Sequence, residues 1–154
     1  MKISNTITDS TCSLNNGLRL AESRLLSPNL TARTLGSLGE EYVAQWLQTL
    51  GWQIVDRNWS TRYGELDIVA LDQRNCLVFV EVKTRRTTQF GRPEEAVAPN
   101  KQIHLKHAAS LWLMKQHNNR NIRHQNIRFD VAAVSVCSND THPTVSIKLI
   151  QGAF

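Results

Sequence analysis

A chain of 154 residues with 41% hydrophobic residues is long enough to bury one sizeable core and too short for two full domains. Four tryptophans and a charged fraction of 20% exclude a disordered polyelectrolyte, and no run approaches the roughly 18 apolar residues of a membrane span. The net charge is +5, and the excess lies entirely after residue 95, where seven Lys/Arg face two Asp/Glu while residues 1 to 95 hold 11 of each. A basic surface of this kind suits a polyanion, because each neutralised phosphate releases condensed counterions.

In chain order, residues 1 to 32 are rich in Ser, Thr and Asn, with a weak helical pattern at Leu14, Leu18, Ala21 and Leu25 before Pro28. They read as an N-terminal extension, flexible or weakly helical, outside a domain at 33 to 154. Met1-Lys2 is followed by no apolar stretch of the secretory type. Cys12, Cys76 and Cys137 are odd in number, far apart and in no C-x-x-C pair, which fits a reducing compartment. The expectation is a cytoplasmic protein without membrane association.

From Leu35 the pattern sharpens. Leu35, Leu38, Tyr42, Val43, Trp46, Leu47 and Leu50 recur at helical spacing and Gly51 supplies a stop, predicting a helix over 34 to 50. Short apolar runs at 52 to 56, 65 to 71 and 77 to 84 read as strands. Arg85 to Asn100, with Gly91, Pro93 and Pro99, reads as a loop. A second helix follows from Asn100 to about His117, with Leu105, Ala108, Ala109 and Trp112 on one face. Strands at 127 to 136 and 144 to 150 complete an α-β-β-β-α-β-β order. The fold class is α/β, a mixed central sheet of about five strands flanked by helices.

Two of those strands carry misplaced charges. Charges in apolar runs lose hydration when a sheet face packs against helices, so each needs a partner, a metal or a substrate. Strand alternation places Glu65, Asp67, Val69 and Leu71 on one face, and Leu77, Phe79, Glu81 and Lys83 on one face of the next strand. A hairpin with Leu71 opposite Leu77 sets Asp67 against Glu81 and Glu65 against Lys83. Directly opposed side chains lie about 4.5 to 5.5 Å apart at Cβ, so two carboxylates converge where they can share a hard cation such as Mg²⁺. Lys83, one pleat along, can polarise a bound water or neutralise a phosphate. A solvated strand face with an ion pair to Lys83 is the plainer alternative. Glu65 divides between pairing with Lys83 and a direct metal role. In the first helix Glu40 borders the apolar stripe, whereas Glu41 lies farther round toward solvent.

A helix carrying Glu40, then Asp67, then Glu81-x-Lys83, resembles the PD-(D/E)xK nuclease superfamily. More closely, the chain resembles the YraN family of bacterial endonuclease-like proteins, whose relatives include Holliday-junction resolvases. The resemblance rests on Gly36-x-x-Gly39-Glu40, Arg57-Asn58, Gly64-Glu65-Leu66-Asp67-Ile68-Val69-Ala70, Val78-Phe79-Val80-Glu81-Val82-Lys83-Thr84-Arg85, Phe90-Gly91, Ala96-Val97, Lys101-Gln102, Arg128-Phe129-Asp130-Val131 and Ala153-Phe154. It implies a restriction-endonuclease-like core and hydrolysis of DNA phosphodiester bonds, with branched DNA among the candidate substrates, using Mg²⁺ or Mn²⁺. It also implies Glu40, Asp67 and Glu81 as acidic residues, with Asp67 and Glu81 holding the metal, Lys83 as catalytic lysine, and Lys101 or Gln102 as an additional polar position. Junction-cutting relatives often work as dimers, since two symmetric strands need two sites, so a homodimer is among the expectations. The alternative is a non-catalytic nucleic-acid-binding module that retains the fold.

Arg57, Trp59, Arg62 and Tyr63 interleave basic and aromatic residues before the acidic strand, as a nucleic-acid surface can, although Trp59 also fits core packing. Arg85, Arg86 and Arg92 are further candidates for phosphate contact, with solvated loop charges as the alternative. His104 and His107 invite a zinc site, but no cysteine or nearby acid completes a tetrahedral set.

Overall fold

The computed structural model describes residues 7–87, 97–116, 122–138 and 141–154. Among them the order is α1 (Ile7–Leu25), α2 (Ala32–Thr49), β1 (Gln53–Thr61), β2 (Gly64–Leu71), β3 (Cys76–Thr87), α3 (Pro99–Gln116), β4 (Asn126–Cys137) and β5 (Thr144–Ile150). The strands form one sheet in sequential order. β1, β2 and β3 run antiparallel, β3 and β4 parallel, and β4 and β5 antiparallel. A parallel pair cannot be joined by a tight turn, and the connection from β3 to β4 passes through α3. This mixed sheet between helices is consistent with the restriction-endonuclease-like core expected from the sequence.

The start of α2 is set by Thr31, whose hydroxyl accepts the Thr34 amide at 3.1 Å and satisfies one of the orphan donors of a first turn. Its end is a glycine stop. Gly51 adopts φ +80°, its amide donates to the Gln48 carbonyl, and that of Trp52 donates back to Leu47, the paired bonds of a Schellman motif.

Two apolar clusters sandwich the sheet. Ala21 and Leu25 of α1 and Leu35, Tyr42, Val43 and Leu47 of α2 cover Ile68, Ala70, Val78, Val80, Ala132, Val134 and Val136. Leu105, Ala108, Ala109 and Trp112 of α3 cover Leu66, Val69, Leu77, Phe79 and Val131. At about 25 cal/mol per Å² of apolar area, each large side chain buried here contributes about 1.5 to 3 kcal/mol.

The sequence predicts residues 1 to 32 as an extension outside the core; in their described part, α1 instead joins it. α1 packs on α2, and Ala21 and Leu25 are fully buried. Arg24 donates to both Glu41 carboxylate oxygens at 3.2 Å. Arg86 donates to the Leu25 and Ser27 carbonyls at 3.3 and 2.6 Å, answering the exposed carbonyls and negative dipole end of α1. The pattern at Leu14 to Leu25 looked weak because one flank is Ser- and Asn-rich. The other flank needs α2 beside it to become a core face.

β1 also exceeds the predicted 52 to 56. It runs on to Thr61 because Trp59, Ser60 and Thr61 find partners in Leu66, Glu65 and Gly64.

Candidate functional site

The hairpin register expected from the sequence holds near its turn: Leu71 pairs with Leu77, Ala70 with Val78, Val69 with Phe79 and Ile68 with Val80. The turn is built by Asp72, whose Oδ1 accepts the Arg74 and Cys76 amides at 2.8 and 2.9 Å. Beyond Ile68 the described ladder stops. Asp67 therefore does not pair with Glu81 through the backbone, and Glu65 pairs with Ser60 of β1 instead of lying opposite Lys83 in the ladder. The carboxylate of Asp67 takes over where the strand leaves off, its Oδ2 accepting the Val82 amide at 2.8 Å.

The break coincides with irregular pleating. Leu66 packs in the α3 cluster with Val69, yet Ile68 packs in the α1/α2 cluster with Ala70, so simple alternation fails across Asp67. On β1, between the pairs Arg57–Ile68 and Trp59–Leu66, Asn58 adopts φ +52°. A positive φ is uncommon outside glycine, and asparagine is among the residues that tolerate it best. The β1–β2 ladder also shifts register between Ile54 and Asp56, so the strand beside Asp67 departs from regular pleating on both sides of Arg57.

Four acids gather where the β2–β3 ladder ends. Glu81 is on the α3 side of β3, only 5% exposed. Its Oε1 accepts a hydrogen bond from Lys101 in the first turn of α3, while its Oε2 is buried with no protein partner. Asp67 is pushed up to about 8 by burial, then by the charge of Glu81, against which the Val82 hydrogen bond works in the other direction; Glu40 adds to the rise and Lys101 opposes it. Glu40 is also raised, by burial first and then by Glu65, with Arg57 opposing and Glu81 reinforcing. Burial pulls Lys101 down, but its hydrogen bond to Glu81 and the charges of Glu81, Asp67 and Glu65 outweigh it and hold the ammonium above the usual lysine range.

Glu40 reaches the site because α2 lies unusually close to β3. A Cβ on Gly39 would sit 1.8 Å from Thr84 Oγ1 and 2.8 Å from Thr84 Cβ, so only glycine permits the approach, whereas the neighbouring Gly36 meets nothing within 4 Å. The expected division between Glu40 and Glu41 also holds in space, since Glu41 is engaged by Arg24 on the α1 side. Lys83 follows Glu81 by two residues on β3, half-buried and opposite Ala133 in the ladder.

A cleft of about 320 Å³ opens against this cluster, lined by Tyr63, Gly64, Glu65, Asp67, Asn100, Lys101, His104 and Leu105. Among the described residues no three His, Cys, Asp or Glu side chains stand together as a ready-made cation cage, and His104 and His107 gather no further ligand. The pair Asp67 and Glu81 nonetheless fits a hard divalent ion. Its oxygens are carboxylate donors, one is buried without a partner, and the cation beside the pair, Lys101, hydrogen-bonds Glu81 alone and reaches Asp67 only through its charge.

Gln102, paired with Lys101 as a candidate, instead spends its amide on the Val97 carbonyl at 2.8 Å. Arg57 is exposed and close enough to Glu40 to lower its pKa. Arg62 lies over the Tyr63 ring at 4.7 Å and donates to its hydroxyl at 2.6 Å. Arg85 is exposed farther along β3, Arg86 braces α1, and Arg92 lies outside the described residues. Of the arginines named as candidates for phosphate contact, Arg86 is engaged in holding α1 and Arg62 lies against Tyr63.

A family model described as "Uncharacterised protein family UPF0102" matches residues 39–134, which takes in Gly39, Glu40, Asp67, Glu81, Lys83 and Lys101. The chain belongs to the UPF0102 family. A UPF0102 protein of Bifidobacterium longum is 49% identical over 106 residues, covering 69% of this chain and 84% of the relative. One from Caldicellulosiruptor saccharolyticus is 40% identical over 125 residues, 81% of this chain and all of the relative. One from Syntrophomonas wolfei is 58% identical over 81 residues, 53% of this chain and 70% of the relative.

Arg128-Phe129-Asp130-Val131, noted in the sequence for resemblance alone, has a structural task that the strand pattern did not reveal. Asp130 is fully buried, receives Arg128 Nε and NH2 at 2.8 and 3.0 Å, and accepts the Gly152 amide at 2.9 Å. Arg128 also donates to Asp72 at 3.1 Å. The cluster ties β4 to the β2–β3 turn and to the C-terminal segment. There Phe154 stacks on Phe129, which in turn stacks on Phe79.

Proposed function

We propose that this protein is a metal-dependent nuclease that hydrolyses phosphodiester bonds in DNA, with branched DNA among its candidate substrates. The observation that carries the reading is the buried, partnerless Oε2 of Glu81 beside an Asp67 whose ionisation is suppressed by burial and by Glu81 itself. A buried acceptor without a partner calls for an occupant, of which a bound ion is one, and a carboxyl so perturbed at a cleft marks a functional-site candidate. Asp67 and Glu81 would hold Mg²⁺ or Mn²⁺, Glu40 adds negative charge from the α2 side, and a bound divalent ion supplies Lewis acidity toward a phosphate and a more acidic water. Lys83 and Lys101 contribute positive charge next to the acids, suited to the phosphate of a substrate strand. The basic excess after residue 95 favours a polyanionic partner.

No helix among the described residues is long and apolar enough to cross a membrane. Cys76 and Cys137 are free buried thiols, the state a reducing compartment such as the cytoplasm maintains.

The test is incubation of purified protein with linear, single-stranded and branched DNA plus either metal, beside an Asp67→Ala variant. Cleavage by the wild type alone supports the reading; equal cleavage by both proteins assigns the activity to a contaminant.

The ion pair between Lys101 and Glu81 favours a second reading, a DNA-binding module in which the lysine stands where a metal would. That reading predicts salt-sensitive DNA binding that survives Glu81→Ala and has no metal requirement.

A further inference from the structure

The cleft beside the acids has a wall that hydrolysis alone does not explain. Arg62 and Tyr63 form the two-residue turn between β1 and β2, pinned by Thr61, whose hydroxyl accepts the Tyr63 amide at 3.0 Å and donates to the Gly64 carbonyl at 3.0 Å. Tyr63 is half-buried and belongs to neither apolar cluster. Its ring is held by surface groups: the Arg62 guanidinium 4.7 Å from its centroid, and the His107 ring edge-on at 5.3 Å and 66°. Asn100, Lys101 and His104 of α3 line the same cleft, as does Asp67 of β2. An aromatic ring braced in place at the mouth of a polar cleft, next to acids that would hold a metal, is the arrangement of a stacking platform.

We propose that this cleft receives the base of an unpaired nucleotide, stacked on Tyr63 with Asn100 and His104 available to its polar edge, next to the phosphate presented to Asp67 and Glu81. The assignment rests on the nucleic-acid reading of the acidic site and narrows it. Within a duplex both faces of a base are covered by its neighbours, so a base can stack on a protein ring only from a single strand, an end, a branch point or a flipped position. A cleft of about 320 Å³ is at the lower end of small-ligand pockets and takes one ring system, whereas a duplex cannot enter it. The substrate class that follows is DNA with an unpaired nucleotide beside the scissile phosphate.

Binding measured without metal separates this inference from the nuclease reading. A short single strand carrying 2-aminopurine is titrated into the full-length protein in EDTA, and the same sequence is titrated as a blunt duplex. The wild type should bind the single strand with a change in 2-aminopurine fluorescence. Tyr63→Ala should weaken that binding about tenfold or more, as expected for loss of one base–aromatic stack. Tyr63→Trp should restore it, and duplex affinity should be unaffected by any of these changes. Thermal melts of each variant establish folding, and because Tyr63 is outside both clusters the melting points should stay close to wild type. Equal single-strand affinity in Tyr63→Ala and wild type, or equal losses for single strand and duplex, overturns the platform. Tyr63-dependent binding in a protein that cleaves nothing with Mg²⁺ or Mn²⁺ upholds the platform while the nuclease reading fails. Cleavage of fully paired DNA at the rate of frayed or branched DNA overturns the platform while the nuclease reading stands.

Discussion

Replacing Asp67 with asparagine should make the metal-free protein more stable, because the wild-type carboxyl carries a penalty that the amide does not. Its pKa in the fold is about 8, against about 3.9 in an unfolded chain. Between those values the folded state holds more protons than the unfolded one, so stability falls as pH rises from about 4 to about 8 and then levels off. At 1.36 kcal/mol per pKa unit, the penalty is on the order of 1 to 2 kcal/mol near pH 5 and grows to about 4 kcal/mol near pH 7. The asparagine oxygen can still accept the Val82 amide that Asp67 now binds at 2.8 Å, so the substitution removes charge without opening the strand end. For a chain of this size 1 kcal/mol moves the melting point by about 2 to 4 °C, which gives a gain of about 10 °C near pH 7. Thermal melts followed by circular dichroism in EDTA, from about pH 5 to about pH 8, measure it. An Asp67→Asn protein no more stable than wild type near pH 7, or a gap that fails to widen with pH, refutes the account of the acidic cluster. Adding Mn²⁺ should raise the wild-type melting point and leave that of Asp67→Asn in place.

Gly39→Ala should cost about 1 to 3 kcal/mol in urea unfolding, the usual cost of overpacking, and Thr84→Ala should recover part of it, since the nearest atoms are those of Thr84 and the closest is its hydroxyl oxygen; additive losses would mean that the two do not meet. Arg128→Met should cost about 3 to 5 kcal/mol by leaving the fully buried Asp130 uncompensated, and a loss below about 1 kcal/mol would contradict the clamp. Asp72 is shifted below the usual carboxylate range: burial acts upward, but the Cys76 and Arg74 amides and Arg128 outweigh it. Its contribution is therefore complete above about pH 4 and is lost as pH falls through its lowered value, so Asp72→Asn should flatten the acid limb of the stability profile. Lys101→Ala removes the cation from Glu81 Oε1 and should tighten Mn²⁺ binding several-fold in calorimetry; weaker binding would make Lys101 part of the metal site's support instead of its competitor.

Much of the architecture was written in local pattern. The helical spacing from Leu35 to Leu47, the Gly51 stop, and the apolar runs around Asp67 and Glu81 each carry their own signal, because burial on one face imposes a period of 3.6 or 2 on the chain. The short turn from Asp72 to Asn75 fixed the β2–β3 register near Leu71 and Leu77 for the same reason: a one-residue slip would turn the apolar set toward water. α1 was only half legible, since its buried face acquires meaning when α2 lies against it.

The sequence by itself determined which side chains could form the acidic cluster, through charges placed in apolar strands. Tertiary structure decided how they meet. Alternation predicts a straight ladder with Asp67 opposite Glu81 and Glu65 opposite Lys83, but the β2–β3 ladder ends at Ile68 and the Val82 amide donates to the Asp67 carboxylate. No local pattern could announce that Gly39 lets α2 approach Thr84, that Arg86 braces α1 in place of a ligand, or that Tyr63 and His104 line one cleft. Those relations join residues far apart in the chain, and they exist only once two helical layers are packed on the sheet.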